Sequence, residues 1–334
     1  MTQTNQALID VKLTFAYLAE QPIIHTEETI GNISKLKQMR VIYKGKPVSV
    51  PALSGNSFRG QLRDILADEL CSRLSNQGQQ LLRFDNNEIY TILYSGGALS
   101  EKSESSGLIF NFSEYLPSMR LMGAAFGDRM LPSKLAMTHI VPCAEETQEI
   151  LQNMHGILEK GLVPPTAKWP SARNLLFNDG PLTRKDDRKD LTRQRFVDSE
   201  AVQQPESESK TADGGTNQDP QQMIYHVECI PAGTWLLQQL YSKFPLDQLE
   251  LGCLFDGLEA FLRQPALGGR SAAGYGQVRV RLRGSVGEES VKWPDEWPQN
   301  VKEAVCEYEK YLTTREKKKE ILNVLEGQGK EADE

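Results

Sequence analysis

Pro51-Ala-Leu-Ser-Gly-Asn-Ser-Phe-Arg-Gly-Gln-Leu-Arg63 carries an extended stretch into a helix, and the reading of the whole chain starts there. Val48 to Leu53 reads as extended, with Pro51 inside it. From Ser57 to Leu74, the apolar residues Phe58, Leu62, Ile65, Leu66 and Leu70 recur at helical spacing. The Ser57 hydroxyl is a candidate cap for that helix. Small residues at Ser54, Gly55, Asn56 and Ser57 allow close backbone approach, and unpaired amides at a helix start can hold a phosphate. Arg59 and Arg63 stand four apart, so both leave one helix face and suit neighbouring phosphates. An ordinary capped helix with solvated arginines would have the same residues.

Outward from this segment the pattern is that of a split core. Leu8 to Tyr17 alternates apolar and polar residues, as a half-buried strand does. Gln77 to Pro181 is irregular and turn-rich and reads as an insertion. Thr183 to Gln222 is polar and nearly free of aromatics, a composition that favours mobility. Ile224 to Leu240 returns to strand character, and Asp247 to Arg263 is an amphipathic helix. A glycine-rich loop, Leu267 to Gly276, leads into a strand, Gln277 to Leu282, in which Val and Arg alternate. Glu303 to Leu325 is a highly charged helix with Glu307–Lys310 and Glu316–Lys319 pairs, expected to be a solvated or docking face. The order strand, helix, insertion, strand, helix, strand predicts an α+β, ferredoxin-like fold with both helices on one face of an antiparallel sheet.

Bulk properties exclude several classes. The 334 residues are 39% hydrophobic and 25% charged, the profile of a soluble globular protein. No apolar run approaches membrane-spanning length, and Met1 to Asp10 shows no secretory pattern, so a cytoplasmic protein without membrane partners is expected. The cysteines Cys71, Cys143, Cys229, Cys253 and Cys306 form no CxxC pair, and the histidines form no HExxH pattern; free thiols, no metal and no cofactor are expected. The net charge of −7 argues mildly against a nucleic-acid coat. Where charge sits matters more than its sum, and much of the acidity lies in Asp198 to Asp219 and the C-terminal tail.

Individual motifs narrow the chemistry. Gly55-Asn-Ser57-Phe-Arg-Gly60 has GxSxxG spacing, not the GxSxG of a hydrolase elbow, and lacks an HGGG-like loop. Leu267-Gly-Gly-Arg-Ser-Ala-Ala-Gly-Tyr-Gly276 follows a helix and precedes a strand, the reverse of a dinucleotide fingerprint, and no P-loop sequence occurs. Gly268, Gly269, Arg270 and Tyr275 instead form a flexible nest suited to RNA phosphates and bases, or else a plain tight turn. Leu121 to Leu135 is a glycine-containing turn region before a short strand, Lys134 to Ile140, where His139 reads as a core histidine. Arg184, Lys185, Arg188, Lys189, Arg193 and Arg195 cluster beside Phe196 and Val197. Basic charge beside an apolar wedge suits a flap over a nucleic-acid strand, although Asp186, Asp187 and Asp190 dilute it.

In this order the segments resemble the RAMP superfamily of CRISPR-associated proteins, and within it the Cascade backbone (Cas-seven-like) branch. Ser54-Gly-Asn-Ser-Phe-Arg-Gly-Gln-Leu-Arg63, Phe126-Gly-Asp with Ser133-Lys-Leu135, and Glu228-Cys-Ile-Pro-Ala-Gly-Thr234 carry the likeness, which spans roughly residues 8 to 284. The resemblance implies an RRM-like palm (1–76 and 223–284), an inserted subdomain (77–182), a thumb hairpin (183–222) and a charged helical tail (285–334). It implies crRNA as ligand, copies of the chain stacked in a helical filament, other effector subunits as partners, and a target nucleic acid read by base pairing.

Type III backbone subunits cleave target RNA with an aspartate between the first strand and the SGxSxRG-like helix. Here that loop, Gln21 to Val50, has Glu27 and Glu28 early, but Gly31 to Val50 holds no Asp or Glu. Ile33-Ser-Lys-Leu-Lys37 occupies the expected place, and Lys35, Lys37, Arg40 and Lys44 offer phosphate contacts instead. No catalytic residue is therefore expected, and the likeness leans to the non-cleaving type IV (Csf-like) branch. The expected RNA contacts are Lys35, Lys37, Arg40, Ser54 to Ser57, Arg59, Arg63, Gly268 to Arg270 and Tyr275, with Lys189, Arg193, Arg195 and Phe196 acting from the thumb. A type III-like nuclease using Glu27 or Glu28, and an acidic scaffold without nucleic acid, are the rival readings.

Overall fold

The computed structural model describes residues 8–75, 87–97, 106–152, 161–183 and 224–325. In chain order the strands are β1 (Val11–Ala19), β2 (Thr26–Ile30), β3 (Ile33–Leu36), β4 (Gln38–Tyr43), β5 (Lys46–Pro51), β6 (Ala124–Phe126) and β7 (Arg129–Leu131). They continue as β8 (Leu135–Met137), β9 (Val141–Pro142), β10 (Phe177–Thr183), β11 (Ile224–Cys229), β12 (Trp235–Ser242), β13 (Val278–Val286) and β14 (Glu289–Trp293). The helices are α1 (Gly55–Leu74), α2 (Asn87–Ser95), α3 (Ser106–Tyr115), α4 (Pro117–Met122), α5 (Gln148–Gln152), α6 (Gln248–Arg263), α7 (Gln299–Thr313) and α8 (Arg315–Leu325).

The main sheet is antiparallel, in the order β14-β13-β1-β12-β8, with β9 also paired to β12. Alternation sends Leu13, Phe15 and Tyr17 of β1 to one side, where they meet Phe58 and Leu62 of α1 and Leu258 and Phe261 of α6. Phe58 sits at the hub, with ring centroids 6.0 Å from Phe15, 6.4 Å from Tyr17 and 5.1 Å from Phe261. The buried Tyr17 hydroxyl on this side has its partner within the core, donating to Gln238 Oε1 at 2.9 Å. Both long helices thus lie on one face of an antiparallel sheet, as the sequence order predicts.

Helix α6 begins with a reciprocal cap, Asp247 accepting from the Glu250 amide and Glu250 from the Asp247 amide. Glu250 is fully buried, and Arg120 (2.5 Å) and Lys134 (2.7 Å) neutralise it. Lys134 of the Ser133-Lys-Leu motif is thus built into the core.

Four sequence expectations change. Gln21 to Val50 is not a loop: β2 and β3 form one hairpin and β4 and β5 another. The cap of α1 is Ser54, whose Oγ accepts from the Ser57 amide at 3.2 Å, one turn earlier than expected. The palm sheet extends beyond residue 284, because β13 runs to Val286 and β14 pairs with it. The charged C-terminal helix is two helices that bury Val301, Ala304, Tyr308, Leu312 and Ile321 in the main core. Its polar residues are solvated, but its apolar stripe is structural. All five cysteines are free, and no described helix is long and apolar enough to cross a membrane.

Candidate nucleic-acid interface

Three sequence-distant segments converge where β1 ends. Gly269 N–H donates to Ile24 O at 2.9 Å and Gly276 N–H to Pro22 O at 2.8 Å, which lays the glycine-rich loop along the chain leaving β1. A Cβ on Gly268 would lie 2.1 Å from Ile24 O, and its φ of 77° suits glycine. Gln61 on α1 donates to Ala266 O at 2.8 Å, tying the helix to the base of that loop. Lys37 N–H donates to His25 O at 2.8 Å, bringing in the β3–β4 junction.

The start of α1 is held by two histidines. Ser54 N–H donates to His25 Nε2 at 3.2 Å, and Gly55 N–H donates to His139 Nδ1 at 3.0 Å. A Cβ on Gly55 would sit 2.7 Å from Met137 O, so this close approach requires glycine. His139 is exposed, not a core residue, because its ring is spent on capping the helix. Burial first, and Lys37 second, lower the His25 pKa below the ordinary imidazole value. Three of the amides expected to await a phosphate therefore already have acceptors. Asn56, beside them, is exposed.

The cations divide by environment. Lys37 pairs with Glu27 at 2.6 Å on an exposed hairpin, and that hydrogen bond lowers the Glu27 carboxyl below its usual range. Lys35 pairs with Glu228 at 2.6 Å. Arg270 is exposed, in a left-handed conformation with φ 61°, and its guanidinium lies 5.0 Å from the Tyr225 ring centroid. The Tyr275 hydroxyl donates to Asp179 at 2.6 Å; burial and that bond push its pKa up to about 12.

Arg40 is exposed on β4, whose hairpin packs on Ala144, Ala172 and Leu175, apart from the cluster. Arg59 and Arg63 do share a face of α1, but that face meets protein. Arg59 donates to Met122 O; Arg63 donates to Met122 O, Gly123 O at 2.9 Å and Ser95 O at 3.3 Å. These carbonyls end α2 and α4, so the two arginines clamp helix C-termini.

β10, β11, β3 and β2 form a second sheet that carries Asp179, Tyr225, Glu228 and Lys35. The segment joining β10 to β11, which includes Lys189, Arg193, Arg195 and Phe196, lies outside the described residues. The sequence reading missed His25, His139 and Tyr225. His25 follows an apolar run without any periodic signal, and the partners of the other two lie far along the chain.

The architecture defines a class: an α+β palm with an antiparallel sheet, two helices on one face and large insertions, as the RAMP-type backbone resemblance implies. Among solved structures, a chain of one described as "Type IV-B CRISPR Complex" matches with a TM-score of 0.52 and 19% identity, over 87% of this chain and 96% of that one. The crystal structure of Thermofilum pendens Csc2 matches at a TM-score of 0.38 and 14% identity, over 97% of this chain and 78% of that one. No family model and no curated protein matches. At this identity the first likeness establishes the fold, which this chain shares almost end to end with a chain of that complex.

Proposed function

We propose that the chain is a non-catalytic backbone subunit of a CRISPR effector ribonucleoprotein, of the type IV-like branch. It binds guide crRNA and polymerises along it with copies of itself and other effector subunits, leaving spacer bases free to pair with a target. The observation that carries this reading is the convergence of Lys37, the α1 start and the Gly268–Arg270 loop around His25, within that fold. Lys35, Lys37, Arg270 and Tyr275 contact the guide, with exposed Asn56 at the helix start. Arg59 and Arg63 position that helix. Lys189, Arg193, Arg195 and Phe196 act from the segment that joins β10 to β11.

The nuclease alternative needs a carboxylate, and Glu27 is tied to Lys37. The test is expression with and without a CRISPR array, followed by the absorbance ratio at 260 and 280 nm and sizing of bound RNA. Guide-length RNA present only with the array supports the proposal. Clean protein in both cases, with partner subunits co-expressed, sinks it in favour of an acidic scaffold. Regularly spaced target cutting that is lost in Glu27→Ala/Glu28→Ala would establish the nuclease instead.

A further inference from the structure

The palm sheet has a second face, opposite α1 and α6. Register puts Lys12 of β1, Arg279, Arg281 and Arg283 of β13, and Lys292 of β14 on it. None of the strand positions on that side is Asp or Glu, in a chain of net charge −7. Leu162, Val163 and Trp169 of the insertion cover the part around Ala16 and Leu237, and Arg281 donates to Leu162 O at 3.4 Å at the edge of that cover; Arg279 and Arg281 are exposed, and Arg283 is half-buried.

Neighbouring groups make this more than a solvated face. Arg281 lies 5.0 Å from the Trp235 ring centroid, and Tyr241, on the same side, is 39% exposed. Gln239 is 91% buried on this face, and its Nε2 has no acceptor among the described residues. Two acids outside its strands reach the patch: Glu20 pairs with Arg279 at 2.6 Å and Asp295 with Lys292 at 2.9 Å. Both pairs are exposed, hence weak and readily exchanged for phosphate. Residues i, i+2 and i+4 of a strand repeat every ~6.7 Å, close to the step between phosphates of an extended single strand.

We propose that this face is a second binding surface for single-stranded nucleic acid. Arginines at strand spacing grip successive phosphates, while Tyr241 and Trp235 offer rings for bases. It shares no residue with the cluster around His25, and it stands whether or not that cluster holds a guide. An acidic protein segment would also find cations here, but it would make no use of the exposed Tyr241 ring or of the buried Gln239 amide donor.

The test uses the full chain and an unstructured RNA of about 12 nucleotides containing 4-thiouridine, photocrosslinked and mapped by peptide. Two sets of adducts are expected, one at Tyr225 or Tyr275 and a second at Tyr241 or Trp235. Arg281→Gln/Arg283→Gln should abolish the second set, spare the first, and lower the salt slope of binding by about 1.4. Lys12→Gln/Lys292→Gln, at the rim and away from the core, should weaken the second set too, which covers the case in which the arginine variant fails to fold. Adducts confined to the first set, or a second set that persists in both variants, would overturn the proposal. Displacement of the second set by polyglutamate as readily as by unlabelled RNA would assign the face to an acidic protein partner. Loss of the first set alone would sink the guide site and leave this surface standing.

Discussion

Arginines stand on both sides of the palm sheet, and the two groups behave differently. Arg59 and Arg63 lie on α1, on the helix-covered side, and their guanidiniums end on carbonyls that close two other helices. Arg281 and Arg283 lie on β13, on the side without helices, beside aromatic rings and other cations. In sequence both pairs are cations at regular spacing. The difference is what the rest of the chain brings to them: α4 and the Ser95–Gly97 turn come to the first pair, and no long helix comes to the second. Spacing fixes which face a cation leaves from, and tertiary packing decides whether that face meets solvent.

The largest effect expected on the covered side comes from its hub. Phe58→Ala removes a fully buried ring that touches three others, and should cost about 4 kcal/mol of stability in a denaturant titration. A loss well below that would mean that the aromatic hub relaxes and that α1 is less firmly set on the sheet. On the open side, Arg279→Gln, at an exposed residue whose pairing with Glu20 is also exposed, should leave the unfolding midpoint nearly unchanged, as surface substitutions do.

Next in size is the arginine clamp. Arg63→Ala leaves carbonyls at Gly123 and Ser95 without their donor and should cost about 2 kcal/mol. Burial already holds the Arg63 pKa below its ordinary value, as expected for a guanidinium partly removed from water. If Arg63→Ala instead leaves the melting temperature untouched while weakening RNA binding, the two arginine groups are alike after all. A smaller effect should appear in RNA binding by Lys37→Ala/Arg270→Ala: unchanged stability, and a salt slope reduced by about 1.4 for two lost phosphate contacts on a single strand. An unchanged slope would remove both residues from the guide site.

The legible parts of this chain were those whose signal is local. α1 buries one periodic apolar stripe, while β1 is buried on both faces and α6 nearly all round, and the apolar content of each places it near its observed bounds. β2 is exposed along its whole length, so it has no alternation to read, and the hairpins between β1 and α1 passed for a loop. The Lys44-Gly45 turn, with both φ positive, was a signal available in the sequence. So was the stripe Val301, Ala304, Tyr308 and Leu312, which the many charges around it obscured. The fate of Arg59 and Arg63 was not readable locally, because their acceptors lie 32 to 63 residues away.

The smallest expected effect tests the histidine-capped start of α1. His25 accepts from the Ser54 amide, so its Nε2 must be unprotonated in the folded chain, and burial and Lys37 both favour the neutral ring. Its other charged neighbours are Glu27, which opposes that shift, and His139, which adds to it. The folded pKa therefore lies below the unfolded value of about 6.5, and the unfolded chain binds more protons between the two. This contribution to stability is complete above the unfolded pKa and is lost as pH falls through the folded one. In His25→Asn the side-chain oxygen can still accept from Ser54 and cannot titrate. Melting temperature followed from neutral pH downward should fall less steeply in this variant than in the parent, with little difference above pH 7. Parallel curves over that range would show that the ring is not held neutral, and that the start of α1 is as open to an anion as its sequence implies.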